Sequence, residues 1–252
     1  MESTKIILNN ISKEYSDEFG FRINLLQNIS FTLSLNQSTS LIAPKGSGKS
    51  SLLRIISGIE IPTGGTISKD NKSNIALIPS KPSSFPWLNV QENIRFAKPG
   101  ITAGKEKELL KLVGLDGYET HFPHNKSLGF RLRISLARAL AVEPALIILD
   151  EPFDEMDIIT KEEIYNLVRE LELKKHIPFL IGTSNITEAV FLADKVFLMK
   201  KNPGEIIDSF EIDLPADRKD NIIVMEKFNQ IRIKIENSFK SKESYKVLNF
   251  SI

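Results

Sequence analysis

The 252-residue chain contains no cysteine, which excludes disulfide bonds and thiolate chemistry and fits a reducing compartment. Its 33 basic and 32 acidic side chains nearly cancel, so charge gives no case for binding nucleic acid. No apolar run approaches the roughly 20 residues that span a bilayer, and the start of the chain does not have the form of a signal peptide. We therefore expect a protein that reaches a membrane only through a partner.

One motif stands out among the residues that are present, a small-residue loop between an apolar strand and a helix. The strand is predicted at residues 40–42, and the helix is predicted to begin near Lys49. Such a loop turns consecutive backbone N–H groups toward phosphates. The residues predicted to bind a nucleoside triphosphate are Lys45, Gly46, Ser47, Gly48, Lys49, Ser50 and Ser51.

Two of these side chains have specific predicted roles. Lys49 would place a charge between the β- and γ-phosphates, and the Ser50 hydroxyl would ligate Mg²⁺. Ala43 stands where the usual spacing has its first glycine, and a positive φ there would cost about 1–2 kcal/mol. The alternative interpretation is an ordinary Gly/Ser-rich turn that contains a lysine.

A second motif supplies carboxylates to the same kind of site. Residues 145–149 form an unbroken apolar run, typical of a parallel strand that is buried on both faces. Asp150 ends this strand at the edge where ligands of open α/β sheets bind, so we predict it as a Mg²⁺ residue. Glu151 follows as the candidate general base. Two solvated acids at a strand end are the alternative.

Several further segments, in this order, resemble the nucleotide-binding subunits of ABC transporters, in particular the nitrate, sulfonate and taurine importer branch. They are residues 85–94 after that family's Q-loop, 122–125 and 134–140 beside its signature, 187–196 after its switch histidine, and 203–204 with 213–215 near its C-terminus. The resemblance implies an α/β fold, the ABC-type nucleotide-binding domain of P-loop NTPases. In this fold an antiparallel β subdomain precedes the P-loop, which is the loop at residues 43–51 here, and a helical subdomain is inserted.

The resemblance also implies ligands and partners. ATP and Mg²⁺ would be the ligands, and Tyr15 falls where an aromatic side chain commonly stacks on adenine, with a surface tyrosine as the alternative. The partners would be a transmembrane permease and a second nucleotide-binding subunit in a homo- or heterodimer. The permease would contact a groove at residues 85–87, for which a buried aromatic turn is the alternative. The chain would then lie on the cytoplasmic face of the cell membrane.

The chain departs from the family pattern at three motifs. Ser80 stands in place of the glutamine that contacts Mg²⁺ and water, residues 126–130 replace the Leu-Ser-Gly-Gly-Gln signature, and Ser184 replaces the switch histidine. The histidines of the chain, at positions 121, 124 and 176, lie elsewhere in the sequence. The degenerate positions are Ser80, Ser127, Leu128, Gly129 and Ser184.

These departures affect hydrolysis more than binding. Loss of one preorganised donor, as at Ser184, commonly lowers turnover by ~10²–10³. Leu128 would weaken the contact across a dimer, because it puts a branched side chain where the family has glycine. We predict an ATP-binding ABC subunit with impaired hydrolysis. A fully active importer motor and a non-transport regulatory P-loop ATPase are the alternatives, and the sequence identifies neither the substrate nor the direction of transport.

The patterning predicts a single domain over residues 1–252. A helical subdomain is expected at about 81–142, and a C-terminal extension at about 203–252. Alternating residues at 29–35, together with 6–8, predict the antiparallel sheet. Helices are expected at 164–176 and 221–239.

Overall fold

The computed structural model describes residues 5–16, 20–69, 74–81, 84–218 and 220–248. Its strands form a three-stranded antiparallel sheet with the order β2-β1-β4 and a six-stranded sheet with the order β5-β6-β7-β3-β8-β9. The strands are β1 (Lys5–Ser16), β2 (Arg22–Ser34), β3 (Thr39–Ile42), β4 (Gly64–Ser68), β5 (Ile75–Ile78), β6 (Leu146–Asp150), β7 (Phe179–Thr183), β8 (Lys195–Lys200) and β9 (Glu205–Glu211).

The helices lie between successive strands, except the last helix, which follows β9. They are α1 (Lys49–Ser57), α2 (Val90–Ala97), α3 (Ala103–Leu112), α4 (Leu128–Ala141), α5 (Ile158–Lys175), α6 (Ile186–Leu192) and α7 (Glu226–Leu248), with a 3₁₀ turn at Asp220–Val224. The stretch between β5 and β6 contains α2, α3 and α4, all within the region expected to be helical. In the described part of the chain, no helix has both the length and the apolarity that crossing a bilayer requires.

The larger sheet lies between two hydrophobic cores, which explains the unbroken apolar run of β6. Ile147 and Leu149 face one core with α4 and α5, whereas Leu146 and Ile148 face the other with α1 and the antiparallel sheet. All five residues of β6 are buried. The predicted buried parallel strand is therefore confirmed. The run is unbroken because alternate side chains face opposite cores, and both cores are apolar.

Two helix boundaries differ from the sequence prediction. Helix α5 begins at Ile158 rather than 164, because Asp157 caps it by accepting a hydrogen bond from the Thr160 N–H at 2.9 Å. The C-terminal prediction of a helix at 221–239 divides into a 3₁₀ turn and the longer α7. Both errors concern where a helix begins or ends, which caps and tertiary contacts decide.

A buried arginine anchors the chain after β9. The Arg218 side chain is fully buried and donates hydrogen bonds to the carbonyl groups of Val190, Phe191 and Ala193. It also pairs with the Asp194 carboxylate at 2.7 Å. Burial lowers the pKa of Arg218 to about 10, so its guanidinium is still charged at neutral pH. The anchor lies at the amino end of β8.

The predicted site residues come together at the carboxyl ends of the central strands. Strands β6, β7 and β3 are adjacent and parallel, so their carboxyl ends meet. The P-loop follows β3, Asp150 ends β6, and Ser184 follows β7. This is the edge at which ligands bind in open α/β sheets.

Candidate nucleotide-binding site

The P-loop has the backbone of a phosphate cradle. Gly46 and Gly48 have φ values of 79° and 89°, in the left-handed region that favours glycine. Gly48 caps α1 without any side-chain hydrogen bond, so the first N–H groups of the helix are left for a ligand. A Cβ at Gly48 would lie 2.6 Å from Leu26 Cδ2, which also requires glycine there. Ala43 does not have a positive φ, so the strain considered for this position does not arise.

Lys49 and Glu151 meet at the centre of the site. The Lys49 Nζ donates a hydrogen bond to Glu151 Oε1, and their side chains are only 5% and 11% exposed. The other Glu151 oxygen accepts a bond from the Ser184 N–H at 3.3 Å. Glu151 has a φ of 44°, and its N–H donates to the Gly182 carbonyl at 2.8 Å. A strained backbone of this kind is common at functional sites, and here it directs the carboxylate toward the P-loop.

Asp150 has an unsatisfied oxygen beside the P-loop. The residue is 7% exposed, and its buried Oδ1 has no hydrogen-bond partner. A buried carboxylate oxygen without a partner is costly, so a cation or its water ligands would satisfy it. The Ser47 hydroxyl is likewise buried without a partner. Ser50 and Ser51 follow Lys49 in the first turn of α1, so the donor set fits Mg²⁺, which prefers hard oxygen ligands.

A salt bridge links the P-loop to the loop after β6. The Lys45 Nζ lies 2.7 Å from Asp154 Oδ2, and the hydrogen bond and charge of Asp154 raise the pKa of Lys45. Lys45 is largely exposed, with 75% of its side chain accessible. In this state, then, the two P-loop lysines at positions 45 and 49 are both paired with carboxylates of the chain itself.

The first two degenerate motifs lie on one cleft next to Glu151. Leu128 lines this cleft and also packs against the larger core. The Ser127 hydroxyl caps α4 by accepting a hydrogen bond from the Phe130 N–H at 3.2 Å. The cleft has a volume of about 380 Å³ and is lined by Ser80, Lys81, Leu128, Arg131, Glu151, Pro152, Asp154 and Glu155.

Gly129 has a packing role within the chain. It is buried, and a Cβ at this position would lie 2.6 Å from Thr160 Cγ2 on α5. The glycine therefore allows α4 and α5 to pack closely. This role does not depend on any nucleotide.

Buried hydrogen bonds next to Ser184 hold its position. The Thr183 hydroxyl donates to buried Glu188 at 2.6 Å, and the Tyr165 hydroxyl donates to the same carboxylate at 2.9 Å. Burial and the charge of Glu188 raise the pKa of Tyr165, so its hydroxyl keeps its proton. Ser184 is thus held beside Glu151 even though it is exposed and is not a histidine.

Tyr15 reaches the P-loop helix from the antiparallel sheet. Its hydroxyl lies 3.3 Å from the Ser51 Oγ and donates a hydrogen bond to Glu60. Tyr15 as a whole is 41% exposed. The structure therefore places every sequence-predicted nucleotide or metal residue on or beside α1 and the end of β6.

Sequence reasoning missed three carboxylates around the site. Asp154 lies in the loop after β6, Glu60 lies in a turn with no motif, and Glu188 lies in a segment that resembles the family but had no predicted role. Apart from Thr183 and Arg54, their side-chain partners are distant in sequence, so no local motif indicates them. The opposite charges of Lys45 and Asp154 were visible, but their proximity was not.

Comparison with known proteins gives the family. The ABC transporter family model matches residues 26–154. The aliphatic sulfonates import ATP-binding protein SsuB of Bacillus cereus (strain ZK / E33L) is 33% identical over 245 residues, with 93% of this chain and 96% of that protein covered. The chain belongs to the ABC transporter family and is an ATP-binding domain of that family.

Two other comparisons agree with this assignment. The nitrate import ATP-binding protein NrtD of Synechocystis sp. (strain ATCC 27184 / PCC 6803 / Kazusa) is 32% identical, with 77% of each chain covered. The dimeric structure of a post-hydrolysis state of the ATP-binding cassette MJ0796, bound to ADP and Pi, matches with a TM-score of 0.72 and 26% identity. The match covers 83% of this chain and 100% of that one. The expected ABC-type P-loop NTPase fold is confirmed.

Proposed function

We propose that the chain is the ATP-binding subunit of an ABC importer, that it binds Mg·ATP at the P-loop, and that its hydrolysis is weak. The observation that carries the proposal is the buried Lys49–Glu151 pair beside the unsatisfied Asp150 oxygen. The relatives named for sulfonate and nitrate import support an importer.

Each binding residue has a defined task in this proposal. The α1 N-terminus and the glycines before it would receive the phosphates, and Lys49 would leave Glu151 to contact them. Bound Mg²⁺, held by Ser50 and Asp150, would neutralise phosphate charge. Tyr15 would stack on the base, because its ring is exposed beside α1.

Weak hydrolysis follows from the groups around Glu151. Released from Lys49, this carboxylate would act as general base for the attacking water. Ser184 offers only its backbone N–H to Glu151, and its short hydroxyl cannot span the distance that an imidazole spans. Ser80 and Leu128 face the same cleft without the amide or the glycine of the family pattern. Water and γ-phosphate would therefore be poorly positioned.

Partners are proposed on the same basis. Trp87 and Phe96 are 70% and 62% exposed and pack against Phe85, with ring centroids at 5.4 Å and 4.7 Å. This aromatic surface is suited to receive a helix of a permease. A second nucleotide-binding subunit with intact motifs would supply the missing signature. Copurification from the native membrane with mass spectrometry tests both partners, and recovery of the chain without a permease would contradict the transporter assignment.

Binding itself is tested by titration calorimetry with Mg²⁺ and a non-hydrolysable ATP analogue. Lys49→Ala should weaken binding about 10- to 100-fold, since hydrogen bonds to charged groups contribute about 1.5–3 kcal/mol. Lys111→Ala, an exposed lysine on α3, is the matched control and should bind like the unmodified chain. Absence of binding, or equal binding by Lys49→Ala, would reject the site.

A further inference from the structure

Glu60 lies at the centre of a hydrogen-bond network around Tyr15. Its Oε1 accepts the Tyr15 hydroxyl and lies 3.2 Å from the Lys13 Nζ. Its Oε2 accepts from Arg54 Nε at 3.0 Å, and Arg54 also donates to the Ser51 hydroxyl at 3.0 Å. The Glu60 side chain is only 15% exposed. The network thus joins the antiparallel sheet to the P-loop helix.

The directions of these hydrogen bonds are fixed by the charge of Glu60. Burial opposes ionisation, but the bonds from Tyr15, Arg54 and Lys13 together lower the pKa of Glu60 below its ordinary value. An ionised carboxylate only accepts, so the Tyr15 hydroxyl donates to it. The Ser51 hydroxyl must then donate to the Tyr15 oxygen, 3.3 Å away. The Tyr15 hydroxyl is held from both sides.

The network also decides which face of the Tyr15 ring is accessible. The Lys13 Nζ lies over the ring, 5.1 Å from its centroid, and donates to the Ile61 carbonyl at 2.7 Å. A planar base can therefore stack only on the opposite face. Ile23 is paired with Tyr15 across the sheet and is 59% exposed, so it extends the apolar surface next to the ring.

We propose that Glu60 is a positioning residue for the nucleotide base, which holds the Tyr15 ring in a stacking orientation and fixes it to α1. The proposal rests on the proposed function, since it assigns Glu60 to the ATP site described above. Ordering a free side chain on binding weakens affinity about 2- to 10-fold, and Glu60 would remove this penalty by holding the ring beforehand. Loss of the aromatic ring itself should weaken binding more, because base stacking on an aromatic side chain is worth about 5- to 100-fold.

The test compares two ligands that differ in the base. Titration calorimetry measures the affinity of the full chain for Mg²⁺ with a non-hydrolysable ATP analogue and for Mg²⁺ with inorganic tripolyphosphate. Glu60→Ala should lower the affinity for the ATP analogue about fivefold and change the affinity for tripolyphosphate less than about twofold. Glu60→Gln, whose amide oxygen still accepts a hydrogen bond, should restore most of the loss. In a Tyr15→Ala background, Glu60→Ala should have no further effect.

Tyr15→Phe provides an independent variant, because it removes the hydroxyl and leaves the Glu60 bonds to Arg54 and Lys13 in place. It should weaken the ATP analogue as Glu60→Ala does. Three results would each overturn the proposal. They are an equal loss of affinity for both ligands in Glu60→Ala, a loss from Glu60→Ala that persists in the Tyr15→Ala background, and unchanged affinity for the ATP analogue in Tyr15→Phe. If the unmodified chain binds neither ligand, the nucleotide site itself fails, and the assignment of Glu60 fails with it.

Discussion

Replacing Gly129 with alanine tests whether this part of the altered signature serves packing. The new Cβ would lie 2.6 Å from Thr160 Cγ2, which is closer than side chains pack. The φ of Gly129 is not positive, so the backbone itself would accept alanine. Overpacking typically destabilises by about 1–3 kcal/mol, and alanine in a helix regains up to about 1 kcal/mol. We expect a net loss of about 1–2 kcal/mol, which lowers the Tm by roughly 2–8 °C for a domain of this size.

Two further variants make the reasoning specific. Gly104→Ala is the matched control, because it also lies in the first turn of a helix and an added Cβ there meets nothing within 4 Å. It should keep or raise the Tm. Adding Thr160→Ser to Gly129→Ala removes the clashing methyl group but keeps the hydroxyl that donates to Asp157 at 2.7 Å. The double variant should regain most of the lost Tm.

Thermal unfolding followed by far-UV circular dichroism measures all of these variants. The packing account would be refuted if Gly129→Ala behaved like Gly104→Ala, or if Thr160→Ser did not restore the Tm. A confirmed result would show that a glycine of the signature is required by the contact between α4 and α5. Gly129 would then be no evidence for a contact with a nucleotide across a dimer.

Three other predictions concern the site and the C-terminal anchor. Asp154→Asn should tighten binding of a non-hydrolysable ATP analogue up to about fivefold by freeing Lys45, whereas the neighbouring change Glu155→Gln should not; equal effects of the two changes would exclude the Lys45 pairing. Ser184→His should raise steady-state ATP hydrolysis at least about tenfold in a phosphate-release assay, and unchanged turnover would show that another substitution limits the rate. Arg218→Met should lower the Tm by about 6–20 °C, since breaking a buried ion pair costs about 3–5 kcal/mol, and it should leave the affinity for ATP unchanged. A Tm within about 2 °C of that of the unmodified chain would contradict the anchoring role.

The local parts of the site could be predicted from sequence because short-range patterns determine them. A buried strand, glycines and a helix start are contiguous around Lys49, and the apolar run before Asp150 indicates a strand buried on both faces. Once both motifs follow parallel strands, the sheet brings their carboxyl ends together. The meeting of Lys49 and Glu151 follows from these two patterns, although 102 positions separate them.

Other features depend on contacts that no local pattern contains. Helix α5 begins six residues earlier than predicted, because the exposed Ile158 and Ile159 interrupt the apolar periodicity while Asp157 caps the helix. The hydrogen bond from Tyr15 to Glu60 joins residues 45 positions apart. Such pairs are set by how the antiparallel sheet packs against α1, which is a tertiary property.

The central claim is that this chain binds Mg·ATP at the P-loop but hydrolyses it slowly. The most direct measurement incubates the isolated chain with Mg²⁺ and radiolabelled ATP, collects the protein by rapid filtration and identifies the bound nucleotide by chromatography. The account predicts bound nucleotide that is recovered as ATP and is lost in Lys49→Ala. Recovery mainly as ADP with many turnovers, or no retained nucleotide at all, would contradict it.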